Sequence, residues 1–100
     1  MDNNLAKVQW YIVDRRGMLY IEEVGEKIAV MTFQYADEQH IIVDHTHVDG
    51  AYRNMGYAKL LLHHMLQFAE ENHLIIIPQC SFVKAALSRN STESTQSNES

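Results

Sequence analysis

Apolar residues in the first half of the chain follow strand-like patterns that are separated by short polar turns. Three strands are predicted, at residues 18–23, 27–35 and 39–48. Val24-Gly25-Glu26 between the first two is typical of a tight hairpin, and Ala36-Asp37-Glu38 separates the second from the third. Strands joined by such short turns predict an antiparallel meander.

From Ala58 onward the apolar spacing changes to that of a helix with one buried face. The positions at this spacing are Ala58, Leu61, Leu62, Met65, Phe68 and Ala69. Glu71-Asn72 marks the predicted helix end, since Asn is a common helix stop. The pattern therefore predicts one long amphipathic helix directly after the third main strand.

After this helix, residues 74–77 form a short aliphatic run that is suited to a strand covered on both faces. Because a helix separates it from the third strand, we expect the two strands to lie parallel, joined by a right-handed crossover. Ser81 is placed to cap a short C-terminal helix that ends at Leu87. Residues 90–100 have no apolar side chain and are predicted to be a disordered polar tail.

The first sixteen residues leave two alternatives open, because residues 8–13 suit either a strand or a helical turn. The whole pattern predicts an α/β fold with a mostly antiparallel sheet, one long helix and a short C-terminal helix. A chain of 100 residues is long enough for a single small domain, which we place at residues 1–89.

Composition and charge indicate which partners and which cellular location are expected for the protein. The net charge of −5 argues against nucleic acid or an anionic membrane as a general partner. Cys80 is the only cysteine, so no intramolecular disulfide can form and a reducing compartment is expected. The N-terminus lacks a signal-peptide pattern, and no apolar run approaches the roughly 20 residues of a membrane span. The expected location is the cytoplasm.

The loop before the long helix contains the residues that point to a ligand. Arg53, Gly56 and Ala58 lie just where that helix begins. Glycine caps a helix no better than Ser, Thr, Asp or Asn, so its presence indicates close approach to the backbone. The first helical turn offers unpaired N–H groups and a positive dipole end, which favour an anion. A simple turn or close packing at Gly56 is the alternative.

The order of strand, Arg-x-x-Gly-x-Ala loop, amphipathic helix and buried strand resembles the acetyl-CoA-binding motif of the GNAT superfamily of N-acetyltransferases. The His45-Thr46-x-Val48 and Pro78-x-Cys80-x-Phe82 segments are similar to its short, stand-alone YjdJ-like subgroup. This resemblance runs from about Gly17 to Leu87. It implies a truncated GNAT-like fold that binds acetyl-CoA, as a substrate, or CoA.

The resemblance also implies a cofactor site. Its predicted residues are Thr46, Val48, Arg53, Asn54, Met55, Gly56, Tyr57 and Ala58. Without a Cβ, Gly56 lets pyrophosphate oxygens approach the backbone N–H groups, and Arg53 adds a charge-assisted hydrogen bond. Backbone groups of Thr46 and Val48 would contact the amide-bearing pantetheine arm, with the thioester between the third strand and the next.

Two residues are candidates for catalysis. Cys80 precedes a predicted helix N-terminus, which favours a thiolate, although a small core residue is the alternative. His45 and His47 share one strand face, and His45 is the better candidate for a general base, with packing at the strand end as its alternative. The His45-x-His47 pair with Cys80 or His64 could also suit a metal, but no ligand motif supports this and no metal is expected.

The chain departs from full-size GNAT enzymes, which have further helices and C-terminal strands around the acceptor site. It also has no tyrosine beyond Tyr57 to protonate the departing thiolate. Two functions therefore stay open: transfer of an acetyl group to an unknown amine acceptor, or a non-catalytic CoA-binding or interaction module. A monomer or weak homodimer is expected.

Overall fold

The computed structural model of the chain describes residues 7–96, with a five-stranded sheet and two helices. The strands are β1 (Val8–Val13), β2 (Arg16–Glu23), β3 (Glu26–Tyr35), β4 (His40–Val48) and β5 (Ile75–Pro78). They are arranged in chain order, with every pair antiparallel except β4 and β5, which are parallel. Helix α1 (Tyr57–Glu71) links β4 to β5, and α2 (Ser81–Gln96) follows. The predicted α/β class, meander and parallel crossover are confirmed.

The N-terminal segment that the sequence left open is a strand. Residues Val8–Val13 pair along their whole length with β2, beginning at Val8 opposite Ile21. The ring of Trp10 packs at 4.9 Å from that of Phe68 in α1 and at 6.5 Å from that of Phe33 in β3. The pairing with β2 settles the choice between strand and helical turn in favour of a strand, and the Trp10 ring packs this strand against α1.

Helix α1 covers one face of the sheet and forms the core with it. The strands contribute Leu19, Ile21, Ile28, Ala29, Met31, Phe33, Ile41 and Val43, and the helix contributes Leu61, Leu62, Met65 and Ala69. Val83 in α2 is fully buried and joins the same cluster. The predicted helical face is therefore the buried one.

Strand β4 changes its pairing register at Asp44. Thr32 lies opposite His45, whereas Phe33 lies opposite Val43, so Asp44 is an extra residue in β4. Such a bulge bends its strand and redirects the following side chains. Pairing with β5 stops at the same point, at Val43 opposite Pro78. Among residues 7–96, no strand pairs with residues 44–48 on the side that faces β5.

The predicted burial of the last strand on both faces is wrong. The side chains of Ile75 and Ile77 are 57% and 37% exposed. The aliphatic run still forms the strand, but β5 lies at the edge of the sheet. Helix α1 covers only one face there, and none of the described segments covers the face that carries these two side chains.

Helix α2 ends later than predicted. It reaches Gln96, nine residues beyond the predicted end at Leu87, and so includes residues 90–96 of the predicted disordered tail. No glycine or proline follows Pro78 to interrupt the backbone. Once a helix has started, each further residue adds one backbone hydrogen bond. Residues 97–100 lie outside the described part, and the domain boundary at residue 89 stays a prediction.

Candidate functional site

The N-terminus of α1 has several backbone N–H groups available to a ligand. Gly56 occupies the N-cap position with φ 78° and ψ 13°, and it supplies no capping side-chain hydrogen bond. The first helical bond runs from the Leu60 N–H to the Gly56 carbonyl at 3.0 Å. The N–H groups of Tyr57, Ala58 and Lys59 therefore precede the helical hydrogen-bond ladder. The first turn contains no acidic side chain, so its positive end is not neutralised locally.

A cleft of about 630 Å³ opens in front of this helix end. It is lined by seven of the predicted cofactor residues: Thr46, Val48, Arg53, Asn54, Gly56, Tyr57 and Ala58. Met55, the eighth, does not line it, and its side chain is largely exposed. The cleft volume lies within the range of about 300–1,000 Å³ that small-molecule sites occupy.

The structure distinguishes between the explanations offered for Gly56. A Cβ placed on this residue would meet no atom within 4 Å, so close packing against the protein does not explain the glycine. Its left-handed φ does explain it in part, because residues with a Cβ rarely adopt that conformation. The remaining open space in front of Gly56 belongs to the cleft.

The second element of the site is the unpaired edge of β4. The N–H groups of Gln79 and Cys80, which follow β5, both donate to the Val43 carbonyl at 3.0 Å, and these are the last described backbone hydrogen bonds between this segment and β4. Beyond Val43 the β4 backbone faces this opening. Such an edge can accept an extended amide chain through main-chain hydrogen bonds.

Cys80 lies at the end of this opening, at the start of α2. Its thiol donates to Oγ1 of Thr46 across a distance of 3.2 Å, in half-buried surroundings. Burial opposes ionisation, but the hydrogen bond with Thr46 and those with the backbone at Val83 and Phe82 outweigh it. The pKa of the Cys80 thiol consequently lies below its ordinary value. The thiolate is the nucleophilic form of cysteine.

His45 lies on the other face of the sheet. Thr46 is paired with the buried Met31, and strand alternation places His45 on the face opposite to Thr46. The exposed His45 ring stacks on that of His47, with 6.4 Å between centroids and 6° between planes. The structure therefore brings Cys80 to Thr46, but it places His45 on the far side of β4.

Four residues that the sequence did not assign to the cofactor site also line the cleft: Tyr52, His47, Lys59 and Phe82. The sequence could have indicated Lys59, because a cation is unfavourable in the first turn of a helix unless an anion lies nearby. The ring of Tyr52 stacks on that of Tyr57 at 6.2 Å. Phe82 comes from α2, and only tertiary structure brings it to this cleft.

Neither described helix combines the length and apolar character that crossing a bilayer requires. Among residues 7–88, whose side chains the structure describes, there is no group of three or more His, Cys, Asp and Glu that could hold a metal ion.

Similar solved structures share the fold. A GCN5-like protein from Staphylococcus aureus, solved by NMR, is 29% identical, with a TM-score of 0.61 over 82% of this chain and 79% of that one. A ribosomal-protein-alanine N-acetyltransferase from Brucella melitensis biovar Abortus gives 20% identity and a TM-score of 0.59 over 68% of this chain. A GNAT family acetyltransferase from Elizabethkingia anophelis with acetyl-CoA bound gives 14% and 0.60 over 77%. At 20% and 14% identity, the similarity to the Brucella and Elizabethkingia proteins concerns the fold alone.

The chain covers 52% of the Brucella protein and 53% of the Elizabethkingia protein. No curated protein sequence matches it. The model of one family, described as GCN5-related N-acetyl-transferase, matches residues 17–96. That match runs from the second residue of β2 to the end of α2 and includes the whole cleft at the start of α1. The chain belongs to the GCN5-related N-acetyltransferase family.

Proposed function

We propose that the protein binds acetyl-CoA in the cleft at the N-terminus of α1 and transfers the acetyl group to an amine. The observation that carries this proposal is the convergence of seven predicted cofactor residues, from β4, the loop and α1, on one cleft. Family membership supports the same ligand.

The pyrophosphate of CoA is placed at the start of α1. The free N–H groups of Tyr57, Ala58 and Lys59 suit phosphate oxygens, and Gly56 leaves room for them. Arg53 lines the same cleft and supplies a cation for a charge-assisted hydrogen bond. Because the chain as a whole is acidic, this local arrangement, and not the overall charge, accounts for anion binding.

The pantetheine arm is placed along the unpaired edge of β4. Thr46 and Val48 line the cleft there, and their backbone groups suit the amides of the arm. This path brings the thioester towards the Thr46–Cys80 contact at the point where β5 leaves β4. The acetyl group would then lie in the gap beside β4 that opens where β5 ends.

Cys80 and His45 are the proposed catalytic residues. Attack by the Cys80 thiolate on acetyl-CoA forms an S–acetyl bond and breaks the carbon–sulfur bond of CoA, which leaves as a thiolate. An amine then attacks the acetylated Cys80, the new N–acetyl bond forms, and the Cys80 thiolate is regenerated. His45 takes the proton that the amine releases. An acetyl group on the Cys80 peptide, detected by mass spectrometry, would support this route.

Calorimetric titration with CoA tests the binding proposal. Arg53→Ala is expected to weaken binding by about 1.5–3 kcal/mol, the range for a hydrogen bond to a charged group. Arg15→Ala is the matched control, because it removes the same charge from the β1–β2 turn, where Arg15 lies over the Tyr35 ring. Absence of binding heat at millimolar CoA would contradict the proposal. Equal effects of the two variants would contradict the role of Arg53.

A second function is a non-catalytic CoA-binding module. The absence of a tyrosine beyond Tyr57 favours it, because the departing thiolate then lacks that proton donor. Release of free CoA thiol from acetyl-CoA, followed with and without small amines, separates the two functions. An amine-dependent release rate supports transfer, whereas tight CoA binding with no release above the protein-free rate supports the module.

A further inference from the structure

A second cleft, of about 560 Å³, lies on the sheet face opposite to α1. Tyr11, Met18 and Thr32 form a row across β1, β2 and β3, because each is the register partner of the next. Val13 and Gln34 belong to the adjacent row on the same face and also line the cleft. The cleft therefore crosses neighbouring strands, so no single stretch of sequence contains it.

Asp44 gives this cleft a negative charge at the β4 bulge. Its Oδ1 accepts a hydrogen bond from Thr32 Oγ1 at 2.6 Å, and its Oδ2 accepts a longer one from Gln34 Nε2 at 3.5 Å. Both donors are neutral. Among the described residues, no cationic side chain lies within ion-pair distance of this half-buried carboxylate. A carboxylate has about four acceptor positions, so Asp44 can still accept from a bound cation.

The rest of the cleft is suited to a small amine with an apolar body. Tyr11, Val13 and Met18 supply apolar surface beside the carboxylate. Asp14 and Arg16 also line the cleft and carry opposite charges, so that Asp44 gives the described lining an excess negative charge. The volume is within the range of small-molecule sites.

The two clefts meet at β4. His45 is the register partner of Thr32, which donates to Asp44, so His45 adjoins the second cleft. His45 also stacks on His47, which lines the first cleft. Because β5 leaves the sheet at Pro78, no described strand covers this side of β4 between Asp44 and Val48. Beside this stretch of β4, no described strand therefore separates the α1 face of the sheet from the face that carries the second cleft.

We infer that the second cleft binds the acetyl acceptor, a small primary amine with an apolar body, and that Asp44 binds its ammonium group. This inference rests on the proposed function. In the transfer the ammonium first gives one proton to His45 or water. The free amine then forms a bond to the acetyl carbon as the carbon–sulfur bond to Cys80 breaks, the Cys80 thiolate is regenerated, and water takes up the second proton of the nitrogen.

NMR spectra of the isotope-labelled full chain test this inference with 2-phenylethylamine as the probe. We expect amide shifts at Tyr11, Met18 and Asp44, and no comparable shifts with the neutral analogue 2-phenylethanol. Asp44→Asn is expected to weaken amine binding about tenfold, the loss of one hydrogen bond between charged groups. Asp14→Asn is the matched control, because it neutralises the other carboxylate of the same cleft.

CoA is titrated in the same experiment and reports on different residues. Shifts at Arg53, Gly56 and Ala58 support CoA binding, and their absence contradicts the proposed function whatever the amine does. Amine shifts that persist when CoA is bound support an acceptor site. Displacement of the amine by CoA, equal binding of the alcohol, or a larger effect of Asp14→Asn than of Asp44→Asn would each overturn the inference.

Discussion

The Sγ atom of Cys80 lies 3.2 Å from Oγ1 of Thr46, across the point where β5 separates from β4. The two residues are 34 positions apart in the chain, and α1 lies between them. Their contact marks the inner end of the unpaired β4 edge. It places the only cysteine of the chain beside the proposed path of the thioester.

The first prediction concerns the ionisation of Cys80. Alkylation by iodoacetamide, measured against pH, is expected to have its midpoint below that of an ordinary cysteine thiol, because the pKa of the Cys80 thiol is lowered. Thr46→Val should move the midpoint upward, because it removes the hydroxyl that hydrogen-bonds the sulfur. Thr32→Val is the control, since this hydroxyl contacts Asp44 and should leave the midpoint unchanged. Equal midpoints for wild type and Thr46→Val would contradict the assigned cause.

The same shift makes stability depend on pH. A lowered pKa in the folded state means that the Cys80 thiolate stabilises the fold above the ordinary thiol pKa, and that this stabilisation is lost as pH falls through the folded pKa. The free energy of unfolding of wild type relative to Cys80→Ser should therefore rise from pH 7 to pH 9. A flat or falling difference in chemical denaturation would contradict the lowered pKa.

A second prediction separates the conformation of Gly56 from its open space. Gly56→Val should cost about 1–3 kcal/mol of stability, because a β-branched residue is strained at φ 78°. Gly56→Asn should cost less, since Asn tolerates this conformation. Both side chains would enter the cleft, so both variants should weaken CoA binding by about tenfold or more. Wild-type CoA affinity in Gly56→Asn would show that phosphate does not approach this backbone.

A third prediction tests the packing of the Phe33 ring against Gly17. A Cβ on Gly17 would lie 2.3 Å from the ring of Phe33, which is buried and also contacts Trp10 and Phe68. Gly17→Ala should therefore destabilise the fold by about 1–3 kcal/mol, as overpacking does. Gly50→Ala is the control, because a Cβ there meets no atom within 4 Å. Thermal unfolding of both variants measures the difference, and equal melting temperatures would contradict this packing.

A fourth prediction concerns the hairpin between β2 and β3. Val24 has φ 50°, a conformation that is strained for a β-branched residue. Its side chain is 98% exposed, so no packing compensates for this strain. Val24→Asn should stabilise the protein by about 1 kcal/mol, because Asn-Gly is the favoured pair in such two-residue turns. The melting temperature should rise by roughly 4–8 °C for a domain of this size. Val24→Ile, which stays β-branched, should leave it unchanged.

Features that depend on neighbouring residues could be predicted from the sequence. The spacing of Leu61, Leu62 and Met65 determines which face of α1 is buried, because helical geometry is local. The short loops determine the antiparallel meander for the same reason. The loop from Arg53 to Ala58 lies next to the helix that it precedes, so its residues stay together in any fold that contains α1.

Tertiary structure alone decided what depends on register and on the order of strands in the sheet. The bulge at Asp44 follows from how β4 pairs with β3, and it places His45 on the face opposite to the buried Val43, which regular strand alternation would not do. Ile75 and Ile77 are exposed because no described segment packs on their face of β5, and a run of aliphatic residues cannot specify whether such a layer is present. The Cys80–Thr46 contact and the second cleft join residues that lie far apart along the chain. Their proximity exists only once the sheet has formed, because it results from non-local pairing and not from spacing along the chain.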